Sequence, residues 1–182
     1  MKKKIFIGLG IFAVVVVAFL FFANNRNRTL SPPGSAELTV GDLKVSVPYS
    51  RPTVRGREIF GADAEKVLLP HGEYWRLGAN ETTQITFSKD VKFNGEPIKA
   101  GSYRIYAVPG PDTFEISLNS EISWWGYSEP DYSKDILKTK INVQKTESPI
   151  EQFTIRMAEA DGGINVIVEW ADTRLVIPVV GQ

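Results

Sequence analysis

The feature that most constrains this chain is an uninterrupted apolar run from Ile5 to Ala23, preceded by Lys2, Lys3 and Lys4. Its nineteen residues, at 1.5 Å each, make a helix of about 28 Å, close to the roughly 30 Å hydrocarbon core of a bilayer. The run is rich in Phe and Val, with Val14 to Val17 consecutive. In water such β-branched residues disfavour a helix, whereas in lipid the backbone has to pair with itself. No face of the segment is polar, which argues against a packed soluble helix. A cleaved signal peptide is the competing reading, but the run exceeds an ordinary signal core, and Phe21 with Ala23 makes a poor cleavage site. The expectation is a single-pass anchor over residues 5–23 that puts the protein in the membrane. Three lysines before it against Arg26 and Arg28 after it favour residues 1–4 in the cytoplasm. The C-terminal domain then lies outside the cytoplasm, on the periplasmic or outer side of the cell membrane. The spacing of Gly8, Gly10 and Ala13 imitates a dinucleotide fingerprint, but no strand precedes it.

Composition narrows the chemistry. The 182 residues include no cysteine and one histidine, which excludes thiol catalysis, cysteine zinc sites, iron–sulfur ligation and multi-histidine metal sites. No metal and no cofactor is expected. Five of the 21 basic residues and none of the 21 acidic ones fall in residues 1–28, leaving the remainder at net −5, so nucleic acid is not an expected partner. Residues 24–34 are polar and end in Ser31-Pro32-Pro33-Gly34, which reads as a short, partly extended linker.

From residue 35 to 182 apolar residues recur with period two, as in Val45-x-Val47-x-Tyr49, Tyr103-x-Ile105-x-Ala107, Phe114-x-Ile116-x-Leu118 and Ile164-x-Val166-x-Val168-x-Trp170. Turn dipeptides such as Asn94-Gly95 and the Asp161-Gly162-Gly163 tract separate the runs. Eight to ten short antiparallel strands are predicted, hence an all-β class with a single β-sandwich or open barrel. The closing run Arg174 to Val180 carries Pro178, which suits a sheet edge. The only soluble helix predicted is a turn or two at Ala62 to Leu69.

Two stretches abandon the alternation. One runs from Tyr49 to Gly61 and resumes from Leu69 to Thr82, bringing Arg51, Arg55, Arg57 and Arg76 together with His71 and several glycines. Guanidinium groups offer paired donors, and glycine lets a ligand approach the backbone, so a surface for something anionic or hydroxyl-rich is one reading. The other is that these arginines pair with Glu58, Glu73 and Glu81 to staple a long crossover. The second stretch is Ser123-Trp124-Trp125-Gly126-Tyr127, whose aromatics could stack on a sugar ring or plug the end of the sandwich. Trp75 and Trp170 read as core.

The same residues carry a resemblance. Tyr49-Ser50-Arg51-Pro52, then Arg55 to Gly61, Pro70 to Glu81, Ala100-Gly101-Ser102-Tyr103, Trp125-Gly126 and Glu169 to Arg174 resemble, in order, a bacterial family of unknown function, domain of unknown function 2911. The resemblance implies a bacterial, typically exported protein with a mostly β domain, and no established activity, cofactor or substrate. It marks Arg51, Arg57, Trp75, Arg76, Asn80 and Glu81 as the signature. This chain departs from the pattern in the extra segment Ala62 to Leu68 and in His71, where a tyrosine is usual.

The leading expectation is an extracytoplasmic domain that binds a glycan or other envelope component without catalysis. Arg57 and Arg76 would grip polar groups, Asn80 and Glu81 would set hydrogen-bond direction, and Trp124 or Trp125 would stack. A glycan hydrolase using Glu81 or His71, and a structural protein braced by its arginines, are the alternatives.

Overall fold

The structure is a computed structural model and describes residues 2–123 and 125–182; Trp124 lies outside the described residues. Its one α-helix, α1, runs from Lys2 to Leu30. The apolar side chains described along it, among them Phe12, Val14 and Phe22, are exposed, and the helix is long and apolar enough to cross a membrane. It also extends seven residues beyond Ala23. Residues 24–30, expected in the linker, contain neither Gly nor Pro, so nothing ends the helix until Ser31-Pro32. The Ser31 amide still donates to the Asn27 carbonyl at 2.9 Å.

Beyond α1 the regular structure of the described residues is strand, apart from one short 3-10 turn. A six-stranded antiparallel sheet takes β1 (Pro33–Val40), β2 (Leu43–Ser50), β5 (Gln84–Phe87), β8 (Gly101–Val108), β9 (Thr113–Asn119) and β10 (Asp135–Asn142), in that spatial order. A four-stranded sheet runs β11 (Gln144–Ala160), β12 (Gly163–Gly181), β6 (Val91–Phe93) and β7 (Glu96–Ile98). Val45, Val47, Ile85, Phe87, Ile116 and Leu118 from the first sheet share one core with Phe153, Ile155, Val166, Leu175 and Ile177 from the second. Two sheets facing each other over a single apolar layer make a β-sandwich, and the sheets do not close into a barrel. The alternating residues named from the sequence are those that point inward.

Three details differ from the sequence expectation. β12 is an inner strand, not an edge. Its Pro178 falls opposite the Asn94-Gly95 turn, where the β6 ladder ends and the only bond left is Asn94 N–H to the Pro178 carbonyl at 2.8 Å. Ala62 to Leu69 forms no helix. A turn closed by the Lys66 and Val67 amides on the Asp63 carbonyl leads straight into β4 (Val67–Pro70). β4 then pairs with β3 (Glu58–Gly61) in parallel, Phe60 opposite Leu69, the one parallel pair among the described residues. The extra segment thus forms a five-residue return, residues 62–66, and the first two residues of β4, and so lets two short strands lie side by side.

The outer face of β8 also breaks the alternation rule. Arg104 and Tyr106 occupy the phase opposite Ile105 and Ala107, yet each is only 1% exposed. Both are covered by the chain between β9 and β10, which contains a short 3-10 turn at Tyr132–Lys134.

Candidate functional site

The segments that left the alternation converge at one end of the sandwich, where α1 meets the β domain. β2 runs into Arg51-Pro52-Thr53, and the chain then turns through Arg55 and Gly56, both with positive φ. The returning segment, residues 76–80, is tighter still. Leu77 has φ 51° and Asn80 φ 57°, a left-handed conformation that costs a leucine energy and persists only where packing enforces it. Leu77 is fully buried, and its carbonyl accepts from Thr83 Oγ1 at 2.7 Å. Gly78, at φ 147°, passes so close to β2 that a Cβ would sit 2.8 Å from the Ser50 carbonyl oxygen.

These turns enclose a cavity of about 330 Å³. Its base is Trp75 and Trp170, stacked at 5.9 Å with an interplanar angle of 22° and capping the aromatic end of the core with Phe60, Phe114 and Phe153. Arg55, Arg57 and Arg76 line it, with Asn80, Leu68 and Leu69, and with Asn27 and Leu30 from the last turns of α1. Leu68 belongs to the extra segment, which therefore supplies wall beside Arg57. No aspartate, glutamate or histidine is among the lining residues. Trp170 is 2% exposed, and its indole N–H is buried with no partner among the described residues.

The guanidinium groups here are not paired with carboxylates. Arg57 donates to the carbonyls of Val54 and Thr53 at 3.0 and 2.7 Å, and Arg55 donates to Thr53 Oγ1 and the Leu30 carbonyl at 2.9 and 2.8 Å. Neutral acceptors orient these guanidinium groups, and the nearby Glu151 carboxylate is held by the Arg55 backbone N–H at 3.0 Å and not by a guanidinium. Arg76 goes further. Among the described residues no hydrogen bond or ion pair engages its guanidinium, whose central carbon lies 5.6 Å from the Tyr127 ring centroid. Burial lowers its pKa, partly offset by Tyr74 and Tyr127. The stapling of these arginines by Glu58, Glu73 and Glu81 is not what the structure has.

Glu81 faces elsewhere. One carboxylate oxygen pairs with Arg28 of α1 and the other accepts from Ser50 Oγ at 3.3 Å, beside a second, smaller cavity between Tyr49, Gln84 and Pro33. Arg51 is also outside the arginine cavity. It packs against Gly34 and donates to the Phe153 carbonyl and Thr154 Oγ1 at 3.5 and 3.3 Å. Asn80 lines the cavity while its amide donates to the Ser31 carbonyl at 3.2 Å. His71 occupies a turn, its amide bonded to the Gly61 carbonyl, and lines neither cavity. The residues expected to act together thus divide into Arg57, Trp75, Arg76 and Asn80 around the cavity, and Arg51, Asn80 and Glu81 around the chain leaving the helix.

The tryptophan loop meets the arginine segment. Trp125 forms a bridge with Glu81, Gly126 N–H donates to the Asn80 carbonyl at 3.0 Å, and Tyr74 Oη donates to the Gly126 carbonyl at 3.0 Å. Contact is so close that a Cβ on Gly126 would lie 2.7 Å from the Glu81 carbonyl oxygen. Beneath the loop the Arg104 guanidinium donates to Ser123 Oγ at 3.0 Å, to the Ser128 carbonyl at 2.6 Å and to Tyr74 Oη. Burial raises the Tyr74 pKa, against the pull of Arg104. Sequence reasoning missed Arg104, because an arginine in the outward phase of a strand reads as solvated. Arg55 stands in the arginine-rich stretch of the sequence but outside the family signature.

Fold and site define a class: a β-sandwich carried on an N-terminal apolar helix of the anchor or signal-sequence type, with an arginine-lined cavity at their junction. Residues 31–179 match the model of a family described as a protein of unknown function, DUF2911, and the chain belongs to that family. No curated protein and no solved structure matches it.

Proposed function

We propose that this is a membrane-anchored, extracytoplasmic domain of the cell envelope that binds an anionic envelope ligand in the arginine cavity and does no chemistry on it. The ligand bears a phosphoryl or carboxylate group, as acidic or phosphorylated glycans do. The observation that carries this reading is the set Arg55, Arg57 and Arg76 around one cavity that no carboxylate lines. Grouping three cations without counter-ions costs electrostatic energy that a bound anion offsets, and guanidinium is the side chain best matched to two oxygens at once. Trp75 and Trp170 supply an apolar base. Three lysines before the apolar run against Arg26 and Arg28 after it support the outward orientation, as does the neutralisation of Arg28 by Glu81.

The test is thermal unfolding of the full-length protein against inorganic phosphate, a hexose phosphate and a hexuronate. A ligand at one hundred times its Kd adds about 2.7 kcal/mol, several degrees of Tm for a domain of this size. The shift is expected to fall with added salt and to vanish in Arg76→Ala. Indifference to all three anions sinks the reading.

A hydrolase reading loses support, since Glu81 is held by Arg28 and Ser50 and no acid or base lines the cavity. A structural role has its own observation. Arg28–Glu81, Asn80 to Ser31, Arg55 to Leu30 and the Arg51 amide to the Pro32 carbonyl together clamp the chain as it leaves α1. Arg51, Asn80 and Glu81 of the signature brace the junction, and Arg57, Trp75 and Arg76, again with Asn80, line the cavity beside it.

A further inference from the structure

The loop between β9 and the 3-10 turn presents Ile122, Trp125 and Tyr127 at 45, 38 and 74% exposure, with no charged residue from Ile122 to Ser128. Apolar side chains exposed at fixed positions suit an apolar or interfacial surface, and hydrogen bonds fix the described residues of this loop. Arg104 brackets it at Ser123 and Ser128, Thr82 Oγ1 donates to the Ser123 carbonyl at 2.5 Å, and Tyr74 holds the Gly126 carbonyl. The Tyr127 ring lies against the Arg76 guanidinium, whose central carbon is 5.6 Å from its centroid, and still leaves most of its surface open.

The position of the loop identifies the partner. It is tied to Asn80 and Glu81, and these are tied to Ser31 and Arg28 at the end of α1, so a single residue separates the loop from the helix. Phe22 is the last exposed phenylalanine of the apolar run, and Arg28 lies six residues further, about 9 Å along the axis. The headgroup layer on each side of a bilayer is roughly 5 to 7 Å thick. The loop is thus hung at the outer border of that layer, within reach of a tyrosine or tryptophan ring, and these are the side chains that settle at the membrane–water interface.

We propose that Ile122, Trp125 and Tyr127 dip into the interface of the same bilayer that holds α1, giving the domain a second membrane contact. The proposal rests on the anchor reading and is independent of what the arginine cavity binds. Because the chain has no cysteine, single-cysteine variants can be spin-labelled directly. The experiment uses the full chain in nanodiscs of phosphatidylethanolamine and phosphatidylglycerol. Tyr127→Cys and Ile122→Cys probe the loop, Val16→Cys reports on α1, and Lys44→Cys is the distal control, paired with Thr39 about 20 Å along β1 from Pro33. Collisions with oxygen and with an aqueous nickel chelate measure depth. The expected result is an oxygen-dominated signal at 16, an interfacial one at both loop positions and a nickel-dominated one at 44. Loop labels as open to nickel as position 44, with position 16 still in lipid, overturn the proposal and leave the anchor standing. Nickel access at 16 removes the anchor and the proposal together.

Discussion

Two groups of arginines in this molecule make opposite use of the same side chain. On the four-stranded sheet Arg156 and Arg174 close on Glu169, at 2.9 and 2.6 Å, and the carboxylate is nearly buried. At the helix junction the guanidinium groups of Arg55, Arg57 and Arg76 are steered by carbonyls, a hydroxyl and an aromatic ring, and among the described residues none of them pairs with a carboxylate. The first arrangement uses the charge of its arginines to hold strands together. The second leaves it available. The contrast separates arginines that hold strands through a shared carboxylate from arginines whose guanidinium groups have no carboxylate partner among the described residues.

The largest expected effect tests the paired group. Glu169→Ala leaves two guanidinium groups over a buried gap and is expected to cost about 3 kcal/mol, as loss of one partner from a buried ion pair does, read as a drop in the denaturant midpoint. Gly126→Ala comes next. It pushes the tryptophan loop off the Glu81 carbonyl and is expected to cost about 1 to 3 kcal/mol, with a change in tryptophan emission. In the cavity, Arg76→Ala is expected to move stability by less than about 1 kcal/mol, since no bond is lost, while abolishing the anion-induced thermal shift. A large fall in stability without ligand would erase the distinction between the two groups. Arg28→Ala should change stability by about 0 to 1 kcal/mol, an exposed pair being worth little.

Acid sharpens the same comparison. Burial works against the charge of Glu169, but the hydrogen bonds from Arg156 and Arg174 outweigh it and hold its pKa below the ordinary 4.5. A depressed carboxylate stabilises the fold fully above its unfolded value and loses that contribution as pH falls through its folded one. Unfolding free energy should therefore decline below about pH 4.5 in the parent and more weakly in Glu169→Ala, whereas Arg76→Ala should follow the parent.

The strands were legible because each inward residue declares itself locally: Val45 and Val47, or Leu175 and Ile177, need only their neighbours to mark a face. The Asn94-Gly95 turn was legible for the same reason. What stayed hidden depends on contacts remote in sequence. Arg28 finds Glu81 across 53 positions, and nothing near either residue announces the other. Arg104 is buried only because a loop from beyond β9 folds over it. The polar residues 24–30 read as linker by composition, yet helix continues wherever no breaker stands, and the first is Pro32. At the site, residue types pointed to the right stretches but not to their division, since signature residues that clamp and those that line the cavity alternate along the same segment.

The connection at the junction has a consequence for how the domain meets its surroundings. A flexible linker of eleven residues would let it wander by roughly 18 Å, sweeping a hemisphere above its attachment point. Here only Ser31 and Pro32 separate α1 from β1, and four contacts fasten them. With α1 in a bilayer, the cavity stays at constant height and keeps one aspect toward the surface. Such a domain surveys a plane rather than a volume, and it encounters molecules that travel along the membrane far more often than those that diffuse freely above it.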